Sequence, residues 1–210
     1  MNLAQALMAA MSGGDLRFVT SVESTTSTIV VPNTNIGDLL VLVDYTSNIT
    51  STIPTLVTPP GFTSINSVTG ATSGGSNGSR ANMSYMLVSS SMSGTTLAGM
   101  TGAFRSRKIL MVFRGISPFA TATPLSAAGQ IINGAPTNQV IPVNGESAPL
   151  IALSHSYDNL SMTGGTLIAH SLGTYAGYRL YKDTPSADVT CSVVSSTLAL
   201  LQSCYIQLTY

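Results

Sequence analysis

His155 and His170 are the side chains best suited to moving protons near neutral pH, and they stand fifteen positions apart. Acid–base, nucleophilic or metal chemistry needs partners within reach. Neither histidine has an acid or a thiol at a ligand spacing. Zinc takes three or four such ligands, and calcium takes several convergent carboxylates. The acids stand singly: Asp38 in a Gly-Asp turn, Asp44 at the end of an apolar run, Asp183 and Asp188 flanking a turn. Ser171-Leu172-Gly173 lacks the leading glycine and the strand–helix setting of a nucleophile elbow. Gly74-Gly75-Ser76-Asn77-Gly78 is glycine-rich, but no lysine follows and no helix begins there, so it is a poor phosphate loop. The histidines read as surface or hydroxyl-bonded residues. The expectation is a chain that is not an enzyme and carries no cofactor and no metal.

The whole composition points the same way. Only 8 Lys+Arg and 8 Asp+Glu occur among 210 residues, with a formal net charge of zero, while roughly a quarter are Ser or Thr. Disordered chains combine low hydrophobicity with high net charge; this one is 44% apolar and should fold. Neutrality argues against nucleic acid, whose phosphates require clustered cations. The one basic cluster, Arg105-Arg107-Lys108, is too small for such a footprint. Near-zero charge favours packing into assemblies. No run approaches the roughly 18 to 20 apolar residues of a membrane helix, and no basic leader marks a secretory signal. Membrane insertion and export are therefore not expected, and the chain should be made in a reducing cytoplasm. Cys191 and Cys204 read as two reduced thiols on strand faces, or as a pair facing each other across a hairpin that turns near Ser196-Thr197.

The elements that must position these side chains are nearly all strands. Residues 1–12 form the exception: Leu3, Leu7 and Met11 recur at helical spacing with Ala4, Met8 and Ala10 beside them, and Gly13-Gly14 ends the run. So short a helix must lie against its own domain or a partner. Beyond Asp15, residues 16–19 open a strand, residues 24–28 read as a polar strand or turn, and residues 38–45 form an apolar run buried on both faces. Met83, Tyr85 and Leu87 share one face. Ile109, Met111 and Phe113 share another, opposite Leu110 and Val112. Further strands are expected near 149–154, 175–181, 189–194 and 198–208. Residues 69–80 and 89–102 read as polar loops, and residues 116–142 as a long crossing with short strands only at 130–132 and 139–141. The fold class is all-β: a two-sheet antiparallel β-sandwich, jelly-roll-like or Greek-key, over residues 15–210, behind a short N-terminal α-helix within residues 1–14.

Three phrases arrive in order: Asn35-Ile36-Gly37-Asp38-Leu39-Leu40, then Thr58-Pro59-Pro60-Gly61-Phe62-Thr63, then Met111-Val112-Phe113-Arg114-Gly115. In this order the chain resembles a family of small β-sandwich virion proteins of tailed bacteriophages, across residues 15 to 210. Their pattern reads GDLL, PPxG(W/F)T and VFRG. Phe62 stands where Trp is frequent, and the 1–12 helix is not part of the pattern. Gly37-Asp38 reads as a turn launching a core strand, Pro59-Pro60-Gly61 as a rigid turn seating Phe62, and Arg114 as bonding carbonyls of a neighbouring loop.

The resemblance implies a place in a virion: tail, tail fibre or head decoration. The expected partners are other virion proteins and copies of the chain itself in a homo-oligomer. Leu3, Leu7, Met8 and Met11 are the expected assembly contacts. A second reading is a module that binds a host receptor or surface glycan. It would use the loops bearing Asn77, Arg80, Tyr157 and Asn159, with Tyr45, Tyr157 and Tyr175 as stacking candidates.

Overall fold

The computed structural model describes the backbone of residues 17–71, 77–115, 121–133, 137–141, 150–155, 160–169, 174–180, 189–193 and 198–209, with side-chain detail mainly for 17–70, 77–115 and 161–168. All its regular elements are strands. They are β1 (Arg17–Ser24), β2 (Thr28–Val30), β3 (Leu39–Ser47), β4 (Thr63–Ala71), β5 (Gly78–Leu87), β6 (Thr96–Ala98), β7 (Arg105–Arg114) and β8 (Thr121–Asn133). There follow β9 (Thr137–Ile141), β10 (Leu150–His155), β11 (Leu160–Thr163), β12 (Thr166–Ala169), β13 (Thr174–Arg179), β14 (Val189–Val193) and β15 (Leu198–Thr209). The first sheet runs β1-β7-β3-β5-β4 and the second β12-β13-β10-β15-β8, beside a three-stranded β11-β14-β9 sheet and a β2-β6 ribbon. Every pairing is antiparallel. The 1–12 helix, with Leu3, Leu7, Met8 and Met11, lies outside the described residues.

The run at 38–45 behaves as its composition demands. All nine residues of β3 are buried, because β7 and β5 flank it and both faces of the first sheet are covered. Leu39, Val41, Val43 and Tyr45 join Met83, Ile109, Met111 and Phe113 on one face, where Ala176 and Tyr178 of β13 and the adjoining Leu180 meet them. Leu40, Leu42, Leu110 and Val112 face the other way, onto Ile29, Leu97 and Phe62. Each such side chain contributes about 1.5–3 kcal/mol by leaving water. Phe18, Phe113 and Tyr178 join the two large sheets, with ring centroids 4.8 to 5.8 Å apart. A bulge at Val19 changes the phase of β1, so Phe18 faces the first core and Val22 the second.

The 35–38 and 59–62 turns both form. Asp38 N donates to Asn35 O (3.1 Å) and Phe62 N to Pro59 O (3.0 Å), with Gly37 and Gly61 at φ 88° and 83°. A positive φ at the third turn residue is what a type II turn asks of glycine.

Several expectations need correcting. Residues 121–133 form one long strand rather than a bare crossing. Pro124 is tolerated because β8 is a sheet edge, with a register shift beside it where Ile206 pairs Pro124 and Tyr205 pairs Ser126. Residues 69–71 and 78–80 extend the β4–β5 hairpin, and residues 96–98 form β6 inside the stretch read as loop. The terminal hairpin does not form, since β14 pairs with β11 and β9 while β15 pairs with β10 and β8. In backbone register Cys191 stands opposite Gln139 and Met162, and Cys204 opposite Ile151 and Ala127, so the two residues belong to strands of different sheets.

Candidate functional site

At one end of the first sheet the apolar rows give way to charge. Along β3, Leu40 and Leu42 are followed on the same face by Asp44 and Thr46, and along β7 Val112 and Leu110 give way to Lys108 and Ser106. The register sets Asp44 opposite Lys108 and Thr46 opposite Ser106. Asp44 and Lys108 are fully buried, and Lys108 Nζ lies 3.0 Å from Asp44 Oδ1. The ammonium also donates to Met100 O (3.1 Å) and Ser106 Oγ (3.0 Å), so all three of its protons are placed. Asp44 Oδ2 accepts from Met100 N (2.8 Å), and Thr46 Oγ1 donates to Oδ1 (3.4 Å). Burial raises the Asp44 carboxyl above its ordinary value of 3.8, against the pull of Lys108 and of the hydrogen bonds from Met100 and Thr46. A Cβ on Gly99 would collide with both the Asp44 carboxylate and the Lys108 stem, so the 99–100 backbone reaches the pair only because residue 99 is glycine. With its valences filled, the pair organises structure and offers no free nucleophile.

The second ion pair joins the resemblance phrases. Arg114 Nε and Nη2 donate to the two carboxylate oxygens of Asp38 at 2.8 and 2.7 Å, and Asn35 N donates to Asp38 Oδ2 at 2.8 Å. Arg114 therefore grips a carboxylate rather than the carbonyls expected, and that hydrogen bonding raises its pKa further.

Outside the Asp44–Lys108 pair lies a cleft of about 310 Å³. The turn after β1 supplies Thr25, Thr26 and Ser27; the approach to β7 supplies Thr101, Gly102 and Phe104; β7 itself supplies Arg105, Ser106 and Arg107. The Arg105 guanidinium sits 4.2 Å over the Phe104 ring, and Phe104 is 46% exposed. Arg107 is only 8% exposed, and its Nη1 has no hydrogen-bond partner. Burial lowers the pKa of both arginines, and in Arg107 the neighbouring Arg105 charge lowers it again. A second cleft of about 370 Å³, between β1 and β2, has Glu23 as its one charged lining residue.

The residues singled out by sequence fall elsewhere. Arg80 is part of β5, and it donates to Pro54 O (2.8 Å) and Ser67 Oγ (2.9 Å), so it braces its own fold instead of reaching from a loop. Asn77 is half-buried at the hairpin end and has an interaction of its own. Tyr45 is core, with its hydroxyl 3.1 Å from Ser79 Oγ, and is no stacking platform. Tyr175 is half-buried on β13. His155 pairs through its backbone with Thr174 and Leu200. Tyr157, Asn159 and His170 lie outside the described residues. Among the described residues, no three of His, Cys, Asp and Glu converge as metal ligands. Strand alternation was the available signal for the cleft, because it puts Arg105 and Arg107 on one face of β7 and Lys108 on the other. Comparison with protein-family models, curated proteins and solved structures finds no match to this chain.

Proposed function

We propose that this chain is a non-enzymatic β-sandwich subunit on the exterior of a tailed-phage virion, of the tail or tail-fibre kind, which assembles with copies of itself and with other virion proteins. The observation that carries this reading is the Asp38–Arg114 clasp, which joins the first and third phrases of the resemblance. The second phrase seats Phe62 against the same core as Leu40. The three phrases thus work as one fold-specifying unit, as a shared structural signature should. The sandwich consists of the first sheet under the second: β13 contacts β7, β15 contacts β4 and β5, and β8 contacts β4. The charge-poor composition suits an assembly held by shape and neutral hydrogen bonds, which salt screens little. In this reading residues 1–14, with Leu3, Leu7, Met8 and Met11, make the docking contact.

Quantitative mass spectrometry of gradient-purified phage particles tests the proposal. The chain should be present at a fixed copy number per major capsid protein, and deleting residues 1–12 should lower that number. Its absence from purified particles would refute the reading. An unchanged copy number after the deletion would refute the docking role alone.

A further inference from the structure

We propose that the cleft between the 25–27 turn and the start of β7 binds an acidic saccharide, with the sugar carboxylate on Arg107 and Arg105 and the ring against Phe104 and the threonine wall. Arg107 carries the argument. Its guanidinium is covered yet shallow, its Nη1 is unpartnered, and among the described residues no carboxylate pairs with it. A covered cationic donor without an acceptor is expensive to hold. Two residues along the same face stands the like charge of Arg105, which adds to the cost of burying Arg107. Asp44 and Lys108, on the opposite face of the sheet, neutralise each other. A carboxylate entering the cleft gives Arg107 the acceptor it lacks, and the planar guanidinium matches its two oxygens.

The rest of the cleft selects a sugar over a bare anion or a peptide. Thr25, Ser27 and Thr101 present hydroxyls that can donate or accept, as sugar hydroxyls require. Phe104 adds an exposed apolar face, and its stack with Arg105 fixes the guanidinium before any ligand arrives. β1 leaves β7 after the Ser24–Lys108 pair, so residues 105–107 lack a ladder partner on that side among the described strands. Three residues span only about 10 Å, which is short for an added peptide strand. A cleft of about 310 Å³ suits one or two sugar rings.

The test uses the isolated full chain, labelled with nitrogen-15, and titrates it separately with D-glucuronate, D-glucose, acetate and tri-galacturonate while amide shifts are recorded. Glucuronate should move the amides of residues 101–107 saturably, and glucose and acetate should bind at least about tenfold more weakly, as loss of the charged or the hydroxyl contacts implies. Tri-galacturonate should bind more tightly than glucuronate. Arg107→Gln should cost about tenfold or more in glucuronate affinity. Should that variant fail to fold, Arg105→Gln and Phe104→Ala, at less buried positions, carry the test, and each should weaken glucuronate binding. Equal binding of acetate and glucuronate would overturn the saccharide in favour of a bare anion. Absence of saturable shifts, or shifts indifferent to the arginine variants, would overturn the site. Because the readout needs no particle, this inference stands or falls separately from the virion reading.

Discussion

Asp44 and Lys108 depend on each other, because both are buried. Removing Lys108 leaves a carboxylate with no counter-charge in the protein interior, so Lys108→Met should cost about 3–5 kcal/mol at neutral pH. Asp44→Asn keeps one oxygen where Met100 N and Lys108 Nζ use two, so its amide nitrogen faces one of these donors, and it leaves the buried Lys108 without a counter-charge. It too should cost about 3–5 kcal/mol, and the double variant should lose less than the two single variants added together. Urea unfolding checks all three. The pH dependence follows from the raised Asp44 pKa. Between 3.8 and the raised value the folded chain holds a proton that the unfolded chain releases. This group's contribution is therefore complete below 3.8 and is lost as pH rises through the raised value. Stability of the parent relative to Asp44→Asn should accordingly fall as pH rises through that window, and the deficit of Lys108→Met should shrink as pH falls. A parent that gained on Asp44→Asn with rising pH would show that the Lys108 attraction exceeds the cost of burial. The residue types of this pair are plain in the sequence. Their partnership is not, because it depends on a register between strands 64 positions apart.

Local rules read the turns and the central strands well. The 35–38 and 59–62 turns carry glycine where φ must be positive, and β3, β5 and β7 show the alternation that assigns their side chains to two faces. Gly61→Ala should lose about 1–3 kcal/mol in thermal or urea unfolding, from the strained φ together with a new Cβ placed 2.8 Å from Met86 Sδ. A variant as stable as the parent would mean that the turn is not held in this conformation. What local rules misread has a single cause: strand partners are chosen at long range. Pro124 argues against a strand in isolation, yet an edge position beside a register shift accommodates it. The 189–208 stretch reads as a hairpin, yet its two halves find partners in separate sheets. The cleft was legible only in part, for the same reason: alternation sets Arg105 and Arg107 on one face of β7 but not what stands beside them. Its wall comes from the end of β1 and its floor from β7, and only pairing brings residues 25–27 beside 104–107.

For the whole molecule, one set of side chains ties the sheets together. Phe113 meets Phe18 within its own sheet and Tyr178 from the other, and it is fully buried. Phe113→Ala should cost about 3–5 kcal/mol, read by urea unfolding, because a large cavity would open where three rings meet. A loss below about 1 kcal/mol, the size of a surface change, would mean that the sheets do not pack there. The all-strand, antiparallel architecture was legible from composition and alternation. The proposed virion role rests on ordered phrases of which the first and third are joined by the Asp38–Arg114 clasp. The most direct test is a cryo-electron-microscopy reconstruction of the phage particle. The account predicts density on the outside of the tail or its fibres into which the two facing sheets fit as a symmetric set of copies. A reconstruction whose exterior densities are all filled by other proteins, from particles lacking peptides of this chain, would contradict it.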